Sequence, residues 1–446
     1  VATMTNSPPN KHGATGGAAP RPLTWSEKLG YGAGEVGANL GWTFVTGFLL
    51  VYYTDVALLP VAALGTLMLV TRTLDAVFDP IVGLIVDRSS SRWGKARPFL
   101  LFACIPFAIG LVLTFTVPAA SLGTKLLYAY GTFTLLGLLY SLVYVPYNAL
   151  MPLITAEQKE RVQLGSIRAV AGSLGSIVVY GATLPIVTAA GGAEKGGFGT
   201  AAAVMAGAMV LLMLATFLSC RERPALDTGQ PATSLRVSLA RMFGNRAWRR
   251  AFGSAVLLFV RISVTVASLI YFAKDVLRQP QLIGILLPLL SVAILVGGAL
   301  AGPVFQKWGV RTANIASLGM ALVLLGVSYA VQGSAQAFTA AFLLCNVWSG
   351  FQSTAIFVNI ADAAEGQALR FGTRDDGLLV ASVSFGVKIG LALGSALTAY
   401  VLGWTGYVPG DVSEGVRSAI TWLFYGGPAL AISLNILLLT GKQSDA

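Results

Sequence analysis

Apolar stretches of about twenty residues or more recur twelve times along the chain, in two runs of six. They lie near 30–54, 62–87, 99–119, 125–150, 165–189 and 198–219, and again near 250–273, 282–305, 312–332, 337–360, 378–403 and 418–440. A helix of that length crosses the hydrocarbon core of a bilayer. Within lipid the backbone must satisfy its own polar groups, which leaves helices and closed barrels as the spanning structures. The pattern therefore predicts an all-α membrane protein of twelve transmembrane helices in a 6+6 pseudo-symmetric arrangement, with the lipid bilayer as its first partner. Only 11% of the residues are charged, against about a quarter in soluble domains. The 51 glycines suit close helix packing in a membrane.

These runs divide the chain into a disordered cytoplasmic tail (1–27), a six-helix bundle (28–220), a polar and basic cytoplasmic linker (221–249), a second six-helix bundle (250–440) and a short cytoplasmic tail (441–446). The first tail is Ser/Pro/Gly-rich to about Pro22 and has no apolar core, so it reads as neither signal peptide nor helix. Placing the N-terminus inside puts twenty-one Lys and Arg in inside segments and five in outside loops. That bias puts both termini in the cytoplasm and the protein in the cell membrane, the inner membrane in a bacterium. It also accounts for the pI of about 9.7 without nucleic-acid binding. The only histidine is His12, so a His-based triad or intramembrane relay is excluded. Cys104, Cys220 and Cys345 are far apart, with no CxxC, and point to neither a metal site nor a disulfide framework. No metal and no cofactor are expected.

The second span contains Arg72-Thr-Leu-Asp75-Ala-Val-Phe-Asp79-Pro80. Asp75 and Asp79 are four residues apart, on one face of a helix. Charge at such depth is costly and is kept where it faces a bundle interior or a wet cavity. The pair suits a small cation. The alternative is a structural ion pair with Arg72 or Lys388, and Lys388 itself either balances charge or takes part in coupling.

The halves echo each other. The loop after span 2 carries Gly83, Asp87, Arg88, Arg92, Trp93-Gly94 and Lys95; the loop after span 8 carries Gly302, Lys307, Trp308-Gly309 and Arg311. A repeat of this kind suggests a transporter with its substrate site near the midplane. The first loop resembles the G-x-x-x-D-R signature of the major facilitator superfamily, in which Gly83, Asp87, Arg88 and Lys95 would form a conformational latch. A narrower resemblance rests on an ordered set: Tyr31-Gly32-x-Gly34, Tyr52-Tyr53-Thr54-Asp55, Asp75-x-x-x-Asp79-Pro80, Arg92-Trp-Gly-Lys95-x-Arg97-Pro98, Tyr140 with Pro146-Tyr147 and Leu150, Arg161 and Arg168, Ala361-Asp362-x-x-Glu365, Gly372-x-Arg374 and Lys388. Together they resemble the glycoside–pentoside–hexuronide:cation symporters, the melibiose permease family.

That resemblance implies cation-driven uptake of a sugar or glycoside by a major facilitator fold. It places the cation at Asp75 and Asp79 with Lys388 nearby, and the sugar at Asn39, Tyr144, Asn148 and Arg168. In the melibiose permease the positions of Asn39 and Tyr144 are aspartates. Their replacement argues against a galactoside and removes one negative group from any sodium site. Arg168 is read as a substrate contact or as the partner of Asp87 or Glu35. Glu35 and Arg261 pair across the centre as a gate, or one of them snorkels to the interface. Among the aromatics, Trp42, Tyr144, Tyr147 and Trp348 are candidates to stack on a sugar. Asp362, Glu365 and Arg374 are read as the second-half latch. Counting Arg72, Arg168, Arg261 and Lys388 against Glu35, Asp75 and Asp79 leaves one positive charge in the spans, which suits an anionic sugar such as a uronide.

The leading expectation is a monomeric symporter of a sugar, glycoside or uronide, coupled to H+ rather than Na+. A facilitator-type carrier of a lipid or other non-sugar solute is the alternative. An intramembrane enzyme is disfavoured, because the spans hold no Ser-His pair and no metal spacing. The topology has a direct check: a cysteine placed at Thr228 should react with an impermeant thiol reagent only from the cytoplasmic side, and labelling from outside overturns the orientation.

Overall fold

A computed structural model describes residues 21–155, 157–223, 242–371 and 376–441. Twelve long helices cross among them: α1 (Trp25–Val51), α2 (Val61–Arg88), α3 (Arg97–Thr114, with a step at Ala103), α4 (Leu122–Ile154), α5 (Gln158–Ala189), α6 (Gly197–Ser219), α7 (Arg246–Tyr271), α8 (Ile283–Trp308), α9 (Val310–Ala330), α10 (Ala335–Phe371), α11 (Asp376–Trp404) and α12 (Glu414–Thr440). All twelve are long and apolar enough to span a membrane. The all-α expectation holds; the one strand-like feature among the described residues is an isolated bridge between Val408 and Asp411.

The helix ends follow capping chemistry. Thr24 and Glu27 form a reciprocal capping box at α1, and Ser121, Asn245 and Ser413 cap α4, α7 and α12. Several helices outrun the apolar stretches that announce them. α10 continues to Phe371 and α5 starts at Gln158, while α7 begins at Arg246, inside the segment read as linker. Hydropathy falls where the chain leaves lipid, but the i to i−4 hydrogen bonds continue into the polar layer. Helices α2, α4, α5, α8 and α12 each carry internal proline. Membrane helices tolerate it because neighbours re-satisfy the freed carbonyls.

Helices α1–α6 pack among themselves, as do α7–α12, and the halves meet chiefly where α2 lies on α11 and α5 on α8. Small residues set the closest approaches. A Cβ on Gly297 of α8 would lie 1.7 Å from the Val347 carbonyl of α10, and one on Gly350 would lie 2.1 Å from the Ile294 carbonyl. Exposed Trp25, Trp308, Trp404 and Trp422 suit the headgroup layers of a bilayer.

The loop between α2 and α3 is held by Glu222, just past α6. Its carboxylate accepts from the backbone N–H groups of Lys95, Ala96 and Arg97, at 2.7, 2.8 and 3.0 Å. These are the unpaired donors at the start of α3, where negative charge is favoured. Gly94 sits in the left-handed region with φ of 112°, and a Cβ there would strike the Glu222 carboxylate at 2.3 Å. The latch expectation named Gly83, Asp87, Arg88 and Lys95. Arg88 is exposed at the end of α2, and the Lys95 amide is one of the three donors to Glu222. The side chains of Asp87, Asp362 and Glu365, and the whole of Arg374, lie outside the described residues, as does most of the linker and the chain to residue 20. Removing the carboxylate by Glu222→Ala should lower stability by about 1–3 kcal/mol, since three donors lose one acceptor. Thermal unfolding in detergent measures this, and Glu222→Gln should fall between.

Candidate functional site

The two aspartates of α2 meet a residue from each of two other helices. Ser141 Oγ on α4 lies 2.7 Å from Asp75 Oδ1 and 2.7 Å from Asp79 Oδ1. Lys388 Nζ on α11 lies 3.0 Å from Asp75 Oδ2 and 2.5 Å from Asp79 Oδ2. The four groups close a ring of carboxylate, hydroxyl, carboxylate and ammonium. Gly137, one turn before Ser141, faces the pair: a Cβ there would lie 3.7 Å from Asp75 Cβ, at ordinary contact distance. The Asp75 side chain is only 1% exposed and that of Asp79 is 28%, so Asp79 is the accessible member.

Arg72, one turn before Asp75, takes no part in the ring. It is buried, its Nε and Nη1 find no acceptor among the described residues, and its guanidinium lies 4.1 Å from the Trp42 ring centroid. Of the two candidate partners for the aspartates, the structure supplies Lys388.

A second polar circuit lies one turn along α4. Arg168 Nε of α5 pairs with Glu35 Oε2 of α1 at 2.7 Å, and Arg168 Nη2 donates to the Tyr144 hydroxyl at 2.6 Å. That hydroxyl donates to Glu35 Oε1 at 3.3 Å, and Asn39 Nδ2 donates to the same oxygen at 3.2 Å. Thr43 extends the circuit to Asn39 Oδ1 at 3.3 Å. Asn39, Tyr144 and Arg168 thus come together, around a carboxylate. Glu35 pairs with Arg168, and not with Arg261 as the gate reading had it. Arg261 is buried on α7, donating to Gln352 Oε1 at 2.9 Å and to the Cys345 carbonyl at 3.4 Å, both on α10. Cys345 and Gln352 are two turns apart on one face of α10, so the guanidinium lies along that helix with neutral partners.

The aromatic candidates stack on one another. Trp42 lies parallel to Tyr140 with centroids 4.2 Å apart, Tyr140 to Tyr144 at 5.1 Å, and Tyr147 to Tyr31 at 4.9 Å. Trp42 has Arg72 and Tyr140 on its ring, and Tyr144 has Tyr140 and Tyr147 beside it. In this conformation their faces are engaged by protein, which leaves edges and hydroxyls. Trp348 is half-buried on α10 against Phe351 at 5.0 Å, and Asn148 is half-buried on α4.

Ser141 was missed by the sequence reading. The signal was present: Gly137, Ser141, Tyr144 and Asn148 recur at intervals of four, three and four, the period of one helix face. That face carries both circuits.

The comparisons with known proteins agree with this architecture. A family model described as MFS/sugar transport protein matches residues 30–440. A putative glycoside/cation symporter, YagG, of Escherichia coli K12 is 35% identical over 95% of this chain and 93% of its own. A glucuronide carrier protein homolog of the same organism is 33% identical over 92% and 91%. The isoprimeverose transporter of Lactiplantibacillus pentosus is 29% identical over 95% and 89%. Among solved structures, the nucleoside transporter NupG superposes with a TM-score of 0.67 at 14% identity, covering 94% of this chain and 100% of its own. A D-xylose-proton symporter superposes at 0.66 and 18%, covering 92% and 97%; at such identities these two speak for the fold. The chain is a multi-pass membrane carrier and not an enzyme, and it belongs to the MFS/sugar transport protein family of the major facilitator superfamily, among the glycoside/cation symporters that its motifs resemble.

Proposed function

We propose that this protein is a symporter that carries a sugar or glycoside by alternating access, coupled to protons through Asp75 and Asp79. Both termini lie in the cytoplasm in this reading. The observation that carries the coupling is the ring around Ser141. One hydroxyl holds one hydrogen, so it donates to only one carboxylate. Its second 2.7 Å contact is a hydrogen bond only if the other carboxyl donates to it. The geometry is satisfied when Asp75 and Asp79 share a single proton, with Lys388 charged beside them. Sodium, in contrast, needs several oxygen ligands and enough negative charge to offset its dehydration. Here an ammonium already occupies the two remaining carboxylate oxygens, and the nearest residue of α4 toward the second circuit is the neutral Tyr144.

Addition of substrate to weakly buffered cells expressing the carrier should therefore alkalinise the medium. Asp75→Asn and Asp79→Asn should each abolish uphill accumulation, while at least one still supports exchange. Ser141→Ala should keep exchange and weaken accumulation, because the shared proton loses its bridge. Uptake that requires sodium and moves no proton overturns the coupling ion while leaving the symporter reading intact.

The substrate site in this reading is built from Asn39, Tyr144, Asn148 and Arg168 of the first half, with Trp348 and Arg261 from the second; Trp42 and Tyr147 act as packed supports. The stacking of Trp42, Tyr144 and Tyr147 on neighbouring protein groups makes hydroxyl and edge contacts the means of recognition. The relatives' names cover glycosides and a glucuronide, and the acid-free Arg261 suits the second kind. Alanine at Asn39, Tyr144, Asn148 or Trp348 should each cost about 1–3 kcal/mol, roughly tenfold or more in affinity. A panel of labelled glycosides and uronides measures it, and unchanged affinity removes that residue from the site.

A further inference from the structure

The two halves are also joined at the end of the molecule opposite the termini, by a group that the coupling site does not use. Asp55, at the end of α1, forms an ion pair with Lys274, which follows α7. The hydroxyl of Tyr407, past the end of α11, lies 3.3 Å from Asp55 Oδ1, 3.2 Å from Asp275 Oδ2 and 3.3 Å from Lys274 Nζ. Thr54 Oγ1 lies 3.0 Å from the Tyr271 hydroxyl, and the Tyr271 and Tyr407 rings meet edge to face at 5.2 Å. Nearby, Thr66 of α2 meets the Tyr400 hydroxyl of α11 at 3.0 Å.

The joint is an internal repeat. Asp55-Val56-x-x-x-Pro60 recurs as Asp275-Val276-x-x-x-Pro280, 220 residues further on. Each copy ends its helix in five residues of wider π-type turn, Tyr52–Val56 and Phe272–Val276. Each then places a non-glycine residue in the left-handed region, Leu58 at φ 57° and Arg278 at φ 54°. Such strain persists only where surrounding contacts hold it and clusters in moving or functional parts.

The charges are divided unevenly across the joint. Asp55 belongs to the first half, and it keeps a partner of its own in Thr54, whose hydroxyl donates to Asp55 Oδ1 at 2.7 Å. Lys274, Asp275 and Tyr407 all belong to the second half. Burial, with Asp55 and Asp275 beside it, holds the Tyr407 phenol well above its usual range, so it remains a donor. Its single proton is contested by one carboxylate from each half. Separating buried charges is expensive when it leaves one of them unpaired. Here the cost is reduced, because Lys274 and Tyr407 have a resident carboxylate in Asp275, and Asp55 keeps the Thr54 hydroxyl as this end opens to water.

We propose that Asp55, Lys274, Tyr407 and Asp275 are a gate built to break cheaply: Asp55 holds Lys274 and Tyr407 when this end is shut, and Asp275 takes them when the halves part. The gate rests on the alternating-access reading, and its test uses neither the substrate nor the coupling ion. Spin labels at exposed Ala119 and Gln336, one on each half at this end, report the gap by double electron–electron resonance. They are attached through Ala119→Cys and Gln336→Cys in a chain whose three native cysteines are replaced by alanine, in lipid nanodiscs.

Lys274→Gln and Asp55→Asn should lower the shut population at least threefold. Tyr407→Phe, which keeps the ring contact with Tyr271, should lower it less. The exchanged pair Asp55→Lys with Lys274→Asp should restore it to within twofold. Asp275→Asn should act in the opposite direction and raise it, because opening then strands Lys274 and Tyr407. Unchanged distances in both Lys274→Gln and Tyr407→Phe overturn the gate, and so does opening by Asp275→Asn. Either result alongside normal uptake leaves the symporter reading standing.

Discussion

An ammonium from one half of the chain closes on two carboxylates of the other, inside a membrane, and the remaining architecture follows from what that requires. Buried ions are costly to desolvate, and their mutual attraction offsets this only when geometry and hydrogen bonds are complete. Lys388 reaches Asp75 and Asp79 because α2 lies against α11. That approach depends on small residues at the crossing: a Cβ on Gly65 of α2 would lie 2.8 Å from the Tyr400 ring, and one on Gly403 of α11 would lie 2.8 Å from the Ala62 amide. Ser141 completes the set from α4. Lysine cannot leave without exposing two acids, so the motion of the halves and the state of the aspartates are one problem.

The first half is tied internally by polar and aromatic contacts. Its other buried ion pair, Arg168 with Glu35, is internal and neutral, and it is tied by Tyr144 and Asn39. The rings from Trp42 through Tyr140 to Tyr144 stack along α4, and Tyr147 and Tyr31 stack beside them. Stacked aromatics add about 0.5–1.5 kcal/mol each beyond their burial. The second half is held differently. Its buried contacts include Ser254 with Asn435 at 2.8 Å and the Arg261 guanidinium with the neutral Gln352 amide. A glycine-to-glycine crossing at Gly297 and Gly350 brings α8 and α10 together.

The element count and the location of the aspartate pair were legible because both are written in hydropathy: twelve apolar runs, and two acids one turn apart inside one of them. Partner choice was not. The sequence holds Arg72 three residues from Asp75 and Lys388 far along the chain, and local spacing favours the nearer cation. The structure turns Arg72 onto Trp42 instead and brings Lys388 in through the α2–α11 contact. The same applies to Glu35, whose partner is fixed by α1 lying against α5 and not by pseudo-symmetry with α7. Ser141 was hidden for another reason. A serine in a membrane helix is ordinarily bonded to the carbonyl four residues back, and Ser141 keeps a contact of that kind with Gly137 at 3.4 Å. Only the common face with Tyr144 and Asn148 distinguishes it.

Arg72 supplies what the ring lacks. In the proton-coupled reading, one proton shared between Asp75 and Asp79 makes the ring with Lys388 neutral, and its loss leaves a buried negative charge. A proton carrier needs both states within reach, or the proton is never released. Arg72 sits one helical turn away, where side chains three apart are about 6 Å from each other at Cβ. It stabilises the deprotonated ring without bonding to it. Stacking on Trp42, with Nε and Nη1 without acceptors among the described residues, leaves the guanidinium uncommitted. The aromatic ring stabilises the cation through its quadrupole, and that lets a charge stay buried in a membrane while acting only through its field.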